Sequence, residues 1–397
     1  MVEGPRDVVI LGAGIAGAAL ADHLTRRSLT VTVVDPRTPA AGASGRAAGI
    51  VTEQLWNDWD VLVTRESREE YRALARGDPE TFREVPFVRL TTQPVIADAL
   101  RQAVVRLRGW GVPVEEVDAD RLTDWLPGGQ FGRLLGAIAS RSDACVTPST
   151  ITTLYLEAAQ GRGAAAAFGA PVPVPAYEGG GWTVRSGTDE IRARNLVVAA
   201  GAWSKQLLLG LGRPLPLTPY RTQAAVLRPS GPAPKGAGVS LHDLDTDVYA
   251  RPESNGRILA GDGTEWFETD PERFVAGADA SFLAHLAEGL GTWIPGWGES
   301  EVVGAWAGVC TATLDRRPCI GPVDPERSLY AITGFNGFGV MRSGGAARRL
   351  AELIVDPESG RAREALAPVL PERFGGLAPS FSPVPGFTLE AGNAPRF

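Results

Sequence analysis

The sequence predicts an α/β fold, α+β overall, in which a domain built on a parallel sheet is interwoven with a second domain built on an antiparallel sheet. Three observations predict it. Near the start a short apolar run, the pattern of a strand buried on both faces, leads through a glycine-rich turn into a helical pattern and then a second short run rich in valine. Further apolar runs recur at 195–200 and 329–333. Between them, 219–228, 247–251 and 257–261 read as strands, and Asn255-Gly256 is a hairpin signal joining the last two. No repeat or low-complexity linker separates the halves. The first domain is therefore expected to comprise 1–86, 136–216 and 301–365, the second 87–135 and 217–300, with a Pro-, Ala- and Gly-rich arm at 366–397.

The opening elements carry the most specific signal. Val8-Val9-Ile10-Leu11 reads as a buried strand, and Gly12-Ala13-Gly14-Ile15-Ala16-Gly17 follows at once. A helical pattern then puts Ile15, Leu20 and Leu24 on one face, and the strand Val31-Thr32-Val33-Val34 ends in Asp35. This is the βαβ dinucleotide fingerprint in its required context, and it makes the first domain Rossmann-type. Gly12 permits the tight turn, Gly14 lets backbone approach a pyrophosphate, and Gly17 lets the helix pack on the strand. The amides of Ile15 and Ala16 sit at the helix N-terminus, where anions bind. Asp35, followed by Pro36 and Arg37, is placed to accept hydrogen bonds from ribose hydroxyls.

The motif alone does not separate FAD from NAD. An NAD domain would normally continue through another helix and strand. Here a small, polar loop follows instead, Ala43-Ser44-Gly45-Arg46-Ala47-Ala48-Gly49-Ile50, suited to wrapping a phosphate and a flavin ring. At this point the sequence resembles the D-amino-acid oxidase superfamily, in particular its glycine oxidase, sarcosine oxidase and dimethylglycine dehydrogenase branch.

Further pieces carry the resemblance in order over roughly residues 6–365. Asp143-Ala144-Cys145-Val146-Thr147-Pro148 is similar to the family's turn before a helix, which is expected to start near Ser149-Thr150. Ala164 to Phe168, then Val172, resembles the strand whose end contacts adenine. Asn195 to Ser204 resembles the second FAD signature, bringing Gly201 and Trp203 to the cofactor. The stretch from Gly304 to Asp315, containing Gly308, resembles the return into the FAD domain. Gly334-Phe335-Asn336-Gly337-Phe338-Gly339-Val340-Met341 resembles the loop along the pyrimidine edge of the flavin, followed by a helix ending near Asp356-Pro357. That helix N-terminus would favour the negative charge that reduction places on the ring.

The resemblance implies FAD as cofactor. It implies hydride transfer to flavin N5 from the carbon beside nitrogen of an amine, N-methyl amino acid or amino acid, giving an imine. Electrons would pass to O2 or another acceptor. A site that desolvates the ammonium lowers its pKa enough to free the lone pair. Tyr249 and Arg251, on one face of a strand, would approach the ring, with Asn336 and Met341 beside it, and His242 is a further candidate.

Three departures qualify the resemblance. Cys310, five residues before Asp315, stands where glycine-oxidase-like relatives place a carboxylate-binding arginine. Met341 stands where sarcosine-oxidase-like relatives place a lysine. The lysine that assists oxygen activation falls near Leu259, and Lys205 and Lys235 are the only lysines. Either Arg251, Arg221 or Arg342 replaces the anchor, or the substrate lacks a carboxylate there. Cys310 also lies near a position of covalent flavin attachment; non-covalent FAD is the expectation, and an inert thiol the plainer reading of the cysteine.

Composition bounds the remainder. A net charge of −7 disfavours nucleic acid as a partner, and no stretch has the length and apolarity of a membrane span. No signal-peptide pattern precedes the first strand, and three cysteines are too few for a disulfide framework, so a cytoplasmic location is the default. His23 and His285 read as structural, and no His/Cys/acid cluster has metal-ligand spacing. Two alternatives remain open at this point, an FAD-dependent 2-hydroxy-acid dehydrogenase and a redox-silent FAD-binding subunit.

Overall fold

A computed structural model describes residues 4–230, 238–263 and 268–375. Its first sheet runs, in spatial order, Ala176–Glu178, Gly181–Ser186, Asp189–Val198, Arg6–Leu11, Val31–Asp35 and Ala165–Phe168. Leu329–Thr333 joins Asp189–Val198 in parallel, and Cys319–Asp324 pairs with it in turn. The four central pairings are parallel. Val8, Val9 and Ile10 are fully buried because helices cover one face and loops and strands the other. The helices Ile15–Thr25 and Gly339–Val355 pack side by side on this sheet, and Asp58–Ala75 packs on the second of them.

The second sheet orders Glu301–Thr313, Leu217–Arg228, Ile258–Gly261, Val248–Pro252, Ser240–Asp243, Phe87–Thr91, Gly136–Ser140 and Val114–Glu116. Its pairings are antiparallel except that Ser240–Asp243 runs parallel to Phe87–Thr91. The helix Ala280–Trp293 covers it with Phe282, Leu286, Leu290 and Trp293. The hairpin at Asn255-Gly256 is present, with Gly256 at φ 77.

Strand pairing shifts two expected boundaries. Gly136–Ser140 and Glu301–Thr313, assigned from sequence to the first domain, hydrogen-bond into the second sheet. A strand's sheet is decided by its partners, and both segments are too short or too uniformly apolar to show theirs in sequence. The expected arm also changes: Leu366, Val369, Leu370 and Phe374 are buried against the first domain, and Arg373 grips Asp315 at 2.7 Å. Residues 376–397 of that arm lie outside the described residues. The helix expected near Ser149 begins at Pro148, and the Thr147 hydroxyl donates to the Glu80 carbonyl instead of capping it.

Candidate functional site

One elongated cavity of about 2040 Å³ runs between the two sheets. Small-ligand pockets span roughly 300–1,000 Å³, so this one has room for a dinucleotide and a substrate together. Gly12, Gly14, Ile15 and Ala16 line one region of it and Phe335 to Met341 another, so stretches near the start and near the end of the described chain face a common space.

The nucleotide end is built from backbone. Gly12 adopts φ +118, and a Cβ there would lie 2.7 Å from the Ala199 carbonyl carbon. Gly17 closes the same turn: a Cβ would enter the Gly12 carbonyl, so this glycine packs the helix onto the strand and does not line the cavity. Gly14 has no such crowding, and its Cβ would meet only the Ser44 hydroxyl at 3.2 Å. The helix from Ile15 has no acidic residue in its first turn and no side-chain cap from Gly14, which leaves positive potential at its N-terminus. One detail differs from expectation. The Ile15 amide donates to Ser44 Oγ at 3.0 Å, which ties the glycine-rich turn to the following loop.

Asp35 ends its strand with its carboxylate held by two amides, Ala13 N–H at 2.8 Å and Arg37 N–H at 2.8 Å. Each oxygen keeps a lone pair for a ribose hydroxyl. Arg37 stacks its guanidinium 4.1 Å over the Trp203 ring, and both reach Glu272 at the cavity rim. Pro36, Val172 and Gly201 line this end too.

The loop 43–50 lies against the second sheet. Arg46 packs on Gly308, where a Cβ would lie 3.2 Å from Arg46 Cδ, and Trp306 Nε1 donates to the Arg46 carbonyl at 3.0 Å. Ser44, Arg46, Ala47, Ala48, Gly49 and Ile50 all line the cavity. Opposite them, the helix Gly339–Val355 points its N-terminus at the cavity; Phe338 caps it without a side-chain bond, and no acid lies in its first turn.

Several expected catalytic residues prove committed elsewhere. Asn336 lines the cavity, but its Oδ1 accepts from Thr313 N–H at 2.9 Å and its Nδ2 donates to the Gly334 carbonyl at 2.6 Å, so it fixes the loop to the neighbouring strand. Arg251 turns away from the cavity, donating to the Ala48 carbonyl and pairing with Glu253 at 3.1 Å. Arg342 is buried in an ion pair with Asp60 at 2.6 Å, and Arg221 pairs with Asp279 at 2.6 Å. None of the three lines the cavity as a replacement anchor. Strand alternation gives the side of a residue but not the partner that claims it.

Other candidates do face the space. Tyr249 lines it, and burial raises its phenol well above the ordinary value, so the hydroxyl stays protonated. His242 Nε2 lies 2.7 Å from Asp247 Oδ1, and its ring centroid is 6.5 Å from that of Tyr249. Met341 and Cys310 line the wall, and burial pushes the Cys310 thiol up to about 11. His23 is bonded to Glu70 at 3.2 Å and His285 to the Thr246 carbonyl at 2.9 Å, away from the cavity. Lys205 pairs with Glu268, Leu259 is buried in its strand, and Lys235 lies outside the described residues.

Sequence reasoning missed Trp56, Phe87 and Arg89. Trp56 meets Phe338 edge-on with centroids 4.7 Å apart, forming an apolar wall. Arg89 interrupts the otherwise apolar-and-Thr strand Phe87–Thr91, and all five positions of that strand are buried. A charge inside such a run was the available signal. Among the described residues, no group of three or more His, Cys, Asp or Glu could hold a metal, and no helix is long and apolar enough to cross a membrane.

Comparison with known proteins follows the same outline. The family model for "FAD dependent oxidoreductase" (DAO) matches residues 7–353. Dimethylglycine dehydrogenase of Mus musculus is 24% identical over 382 residues, covering 89% of this chain but 42% of that protein, so the chain spans less than half its length. Glycine oxidase of Geobacillus kaustophilus is 27% identical over 368 residues, covering 89% and 94%. The crystal structure of L-proline dehydrogenase from P. horikoshii superposes with a TM-score of 0.85 at 21% identity, covering 94% of this chain and 98% of that one.

Proposed function

The chain belongs to the FAD dependent oxidoreductase (DAO) family, and from that premise we propose that it oxidises a carbon–nitrogen bond of a small amine or amino-acid-like substrate to an imine. One observation carries the reading: the backbone-lined nucleotide end and a side-chain-lined chamber holding Trp56, Tyr249 and His242 are parts of a single cavity. The dimethylglycine dehydrogenase and glycine oxidase relatives are named for substrates that carry such a bond.

Bound FAD supplies the hydride acceptor. The protein's part is to hold and to exclude. The amides at the Gly14–Ala16 turn would hold the pyrophosphate, and Asp35 the ribose. The uncapped N-terminus of Gly339–Val355 supplies positive potential to negative charge developing nearby. Trp56, Phe338 and Phe87 remove water from the chamber, which lowers an ammonium's pKa and frees its lone pair without a dedicated base. Tyr249 remains a donor at its hydroxyl. The Cys310 thiol, held near 11, offers little thiolate for covalent attachment, which favours non-covalent FAD. Electrons leave to O2 or another acceptor.

The test is an anaerobic screen. Holoprotein is mixed with secondary amines, N-methyl amino acids, D-amino acids and 2-hydroxy acids while the flavin absorbance is followed, and air is then admitted with a peroxide assay. Bleaching by an amine supports the reading; bleaching by hydroxy acids alone, or by nothing, overturns it. Acid precipitation should leave the yellow colour in the supernatant, and colour in the pellet would refute non-covalent binding.

A further inference from the structure

We propose that Arg89 binds the carboxylate of the substrate, so that the site selects amines bearing a carboxylate over simple amines. This rests on the reading of the cavity as an amine-oxidising site and narrows its substrate class.

Five arginines are buried among the described residues: Arg68, Arg89, Arg251, Arg342 and Arg349. Four have a carboxylate of the protein as partner. Arg68 has Glu53 at 3.1 Å, Arg251 has Glu253 at 3.1 Å, Arg342 has Asp60 at 2.6 Å, and Arg349 has Glu66. Arg89, 6% exposed, has no ion pair and no hydrogen bond to any described residue. The Phe87 ring lies 5.7 Å from Cζ, and Asp143 and Asp247 act on the guanidinium through space without an ion pair or hydrogen bond to it. A buried cation left without a partner is strongly unfavourable, so a protein that keeps one there has a use for an anion. Burial lowers its pKa to about 10, which leaves it cationic at neutral pH.

Its position fits a substrate. Arg89 lies in register with His242 on the adjacent strand, and His242 in register with Tyr249 on the next. The three side chains form a cross-strand row on one face of the sheet, and all three line the cavity. The nearby acid, Asp247, is taken by His242. The row belongs to the second sheet, whereas the pyrophosphate turn belongs to the first, so the anion Arg89 awaits is not expected to be the cofactor's phosphate. A guanidinium fork matches a carboxylate's two oxygens.

Wild type, Arg89→Met and Arg89→Lys holoproteins are titrated anaerobically with matched pairs: acetate and acetamide, N-methylglycine and its amide, L-proline and its amide. Flavin absorbance reports binding with acetate and bleaching with the amines. We expect wild type to prefer carboxylates by at least about 100-fold. Arg89→Met should reduce that preference below about tenfold, with partial recovery in Arg89→Lys. FAD content should not change, and ligand-free Arg89→Met should melt no lower than wild type, because no internal bond is lost. A retained preference in Arg89→Met, loss of FAD from it, or a lowered melting temperature would overturn the proposal. If no amine bleaches the flavin yet acetate still perturbs it through Arg89, the oxidation reading fails while the anion site stands.

Discussion

Substituting two neighbouring glycines by alanine separates the fold's requirement from the cofactor's. At Gly12 the φ of +118 is strained for any L side chain, and a Cβ would lie 2.7 Å from Ala199 C and 3.1 Å from Ala200 Cα. Neither side can yield. Gly12 N–H donates to Val34 O at 2.8 Å, and Ala199 N–H donates to Leu11 O at 2.8 Å, so the turn is clamped between two strands. A disfavoured φ costs about 1–3 kcal/mol and overpacking a further 1–3 kcal/mol, so Gly12→Ala should destabilise by about 2–6 kcal/mol. Gly14 has φ −73, ordinary for alanine, and its Cβ would touch only Ser44 Oγ at 3.2 Å. Gly14→Ala should therefore melt, as apoprotein, within about 1 kcal/mol of wild type. The methyl would nonetheless stand where backbone must meet a pyrophosphate. Losing one or two charge-assisted bonds of about 1.5–3 kcal/mol each predicts an FAD Kd raised at least about tenfold. Apoprotein thermal melts and flavin fluorescence titrations read the two effects apart. Wild-type FAD affinity in Gly14→Ala would refute the placement of the pyrophosphate. A wild-type melt for Gly12→Ala would refute the account of the turn.

Asp35→Asn should raise the FAD Kd roughly 10- to 100-fold in the same titration, since its amide would set a donor against Ala13 N–H or Arg37 N–H. Arg342→Met should lower stability by about 3–5 kcal/mol in denaturant unfolding, because Asp60 is left buried without its counter-charge; Asp60→Asn in that background should recover part of it. Burial pushes Asp143 up to about 7, although Thr52, Glu53 N–H and Gln54 all donate to it and pull the other way. Its folded value thus lies above its unfolded one, so the native state holds the extra proton between about pH 4 and 7, and stability falls as pH rises through that window. Unfolding measured from pH 5 to 8 should show the decline, by up to about 3 kcal/mol, and Asp143→Asn should flatten it; an unchanged slope would refute the assignment.

The two walls of the cavity differed in how well the sequence disclosed them. The nucleotide wall is local. Its turn, its helix start and Asp35 fall within one βαβ unit, and the constraints at Gly12 and Gly17 are backbone contacts that only glycine satisfies. A short window therefore contains the whole pattern. The Phe335–Met341 loop was legible for the same reason. The substrate wall is assembled by register: Arg89, His242 and Tyr249 come from three strands, and the pairing of Ser240–Asp243 parallel to Phe87–Thr91 brings 89 beside 242. No local periodicity encodes that pairing, so Arg89 was missed. Arg251, Arg221 and Arg342 were instead offered as anchors and prove bound to Glu253, Asp279 and Asp60. Counting cations finds candidates; knowing which already hold an anion requires the fold.

The same distinction governs the departures at Cys310 and Met341. Neither side chain carries charge at neutral pH, since burial pushes the thiol up to about 11 and keeps it neutral, and the thioether does not titrate. A carboxylate entering the chamber would meet no cation from either of those positions, one on the strand Glu301–Thr313 and one on the helix Gly339–Val355. It would meet one from Arg89, already dehydrated, so that much of the desolvation of the guanidinium has been met by folding and not by binding. The loss of a charged side chain at one wall is thus compatible with unchanged chemistry if another wall supplies the charge. Under the Arg89 proposal the carboxylate would be held from a different wall, and so a different direction, than an arginine at position 310 would hold it from, which would alter how the substrate is presented. Replacing Cys310 by arginine in an Arg89→Met background would separate these factors: recovered carboxylate binding with poor bleaching would locate the specificity in that direction, and equal bleaching would show that only the charge matters.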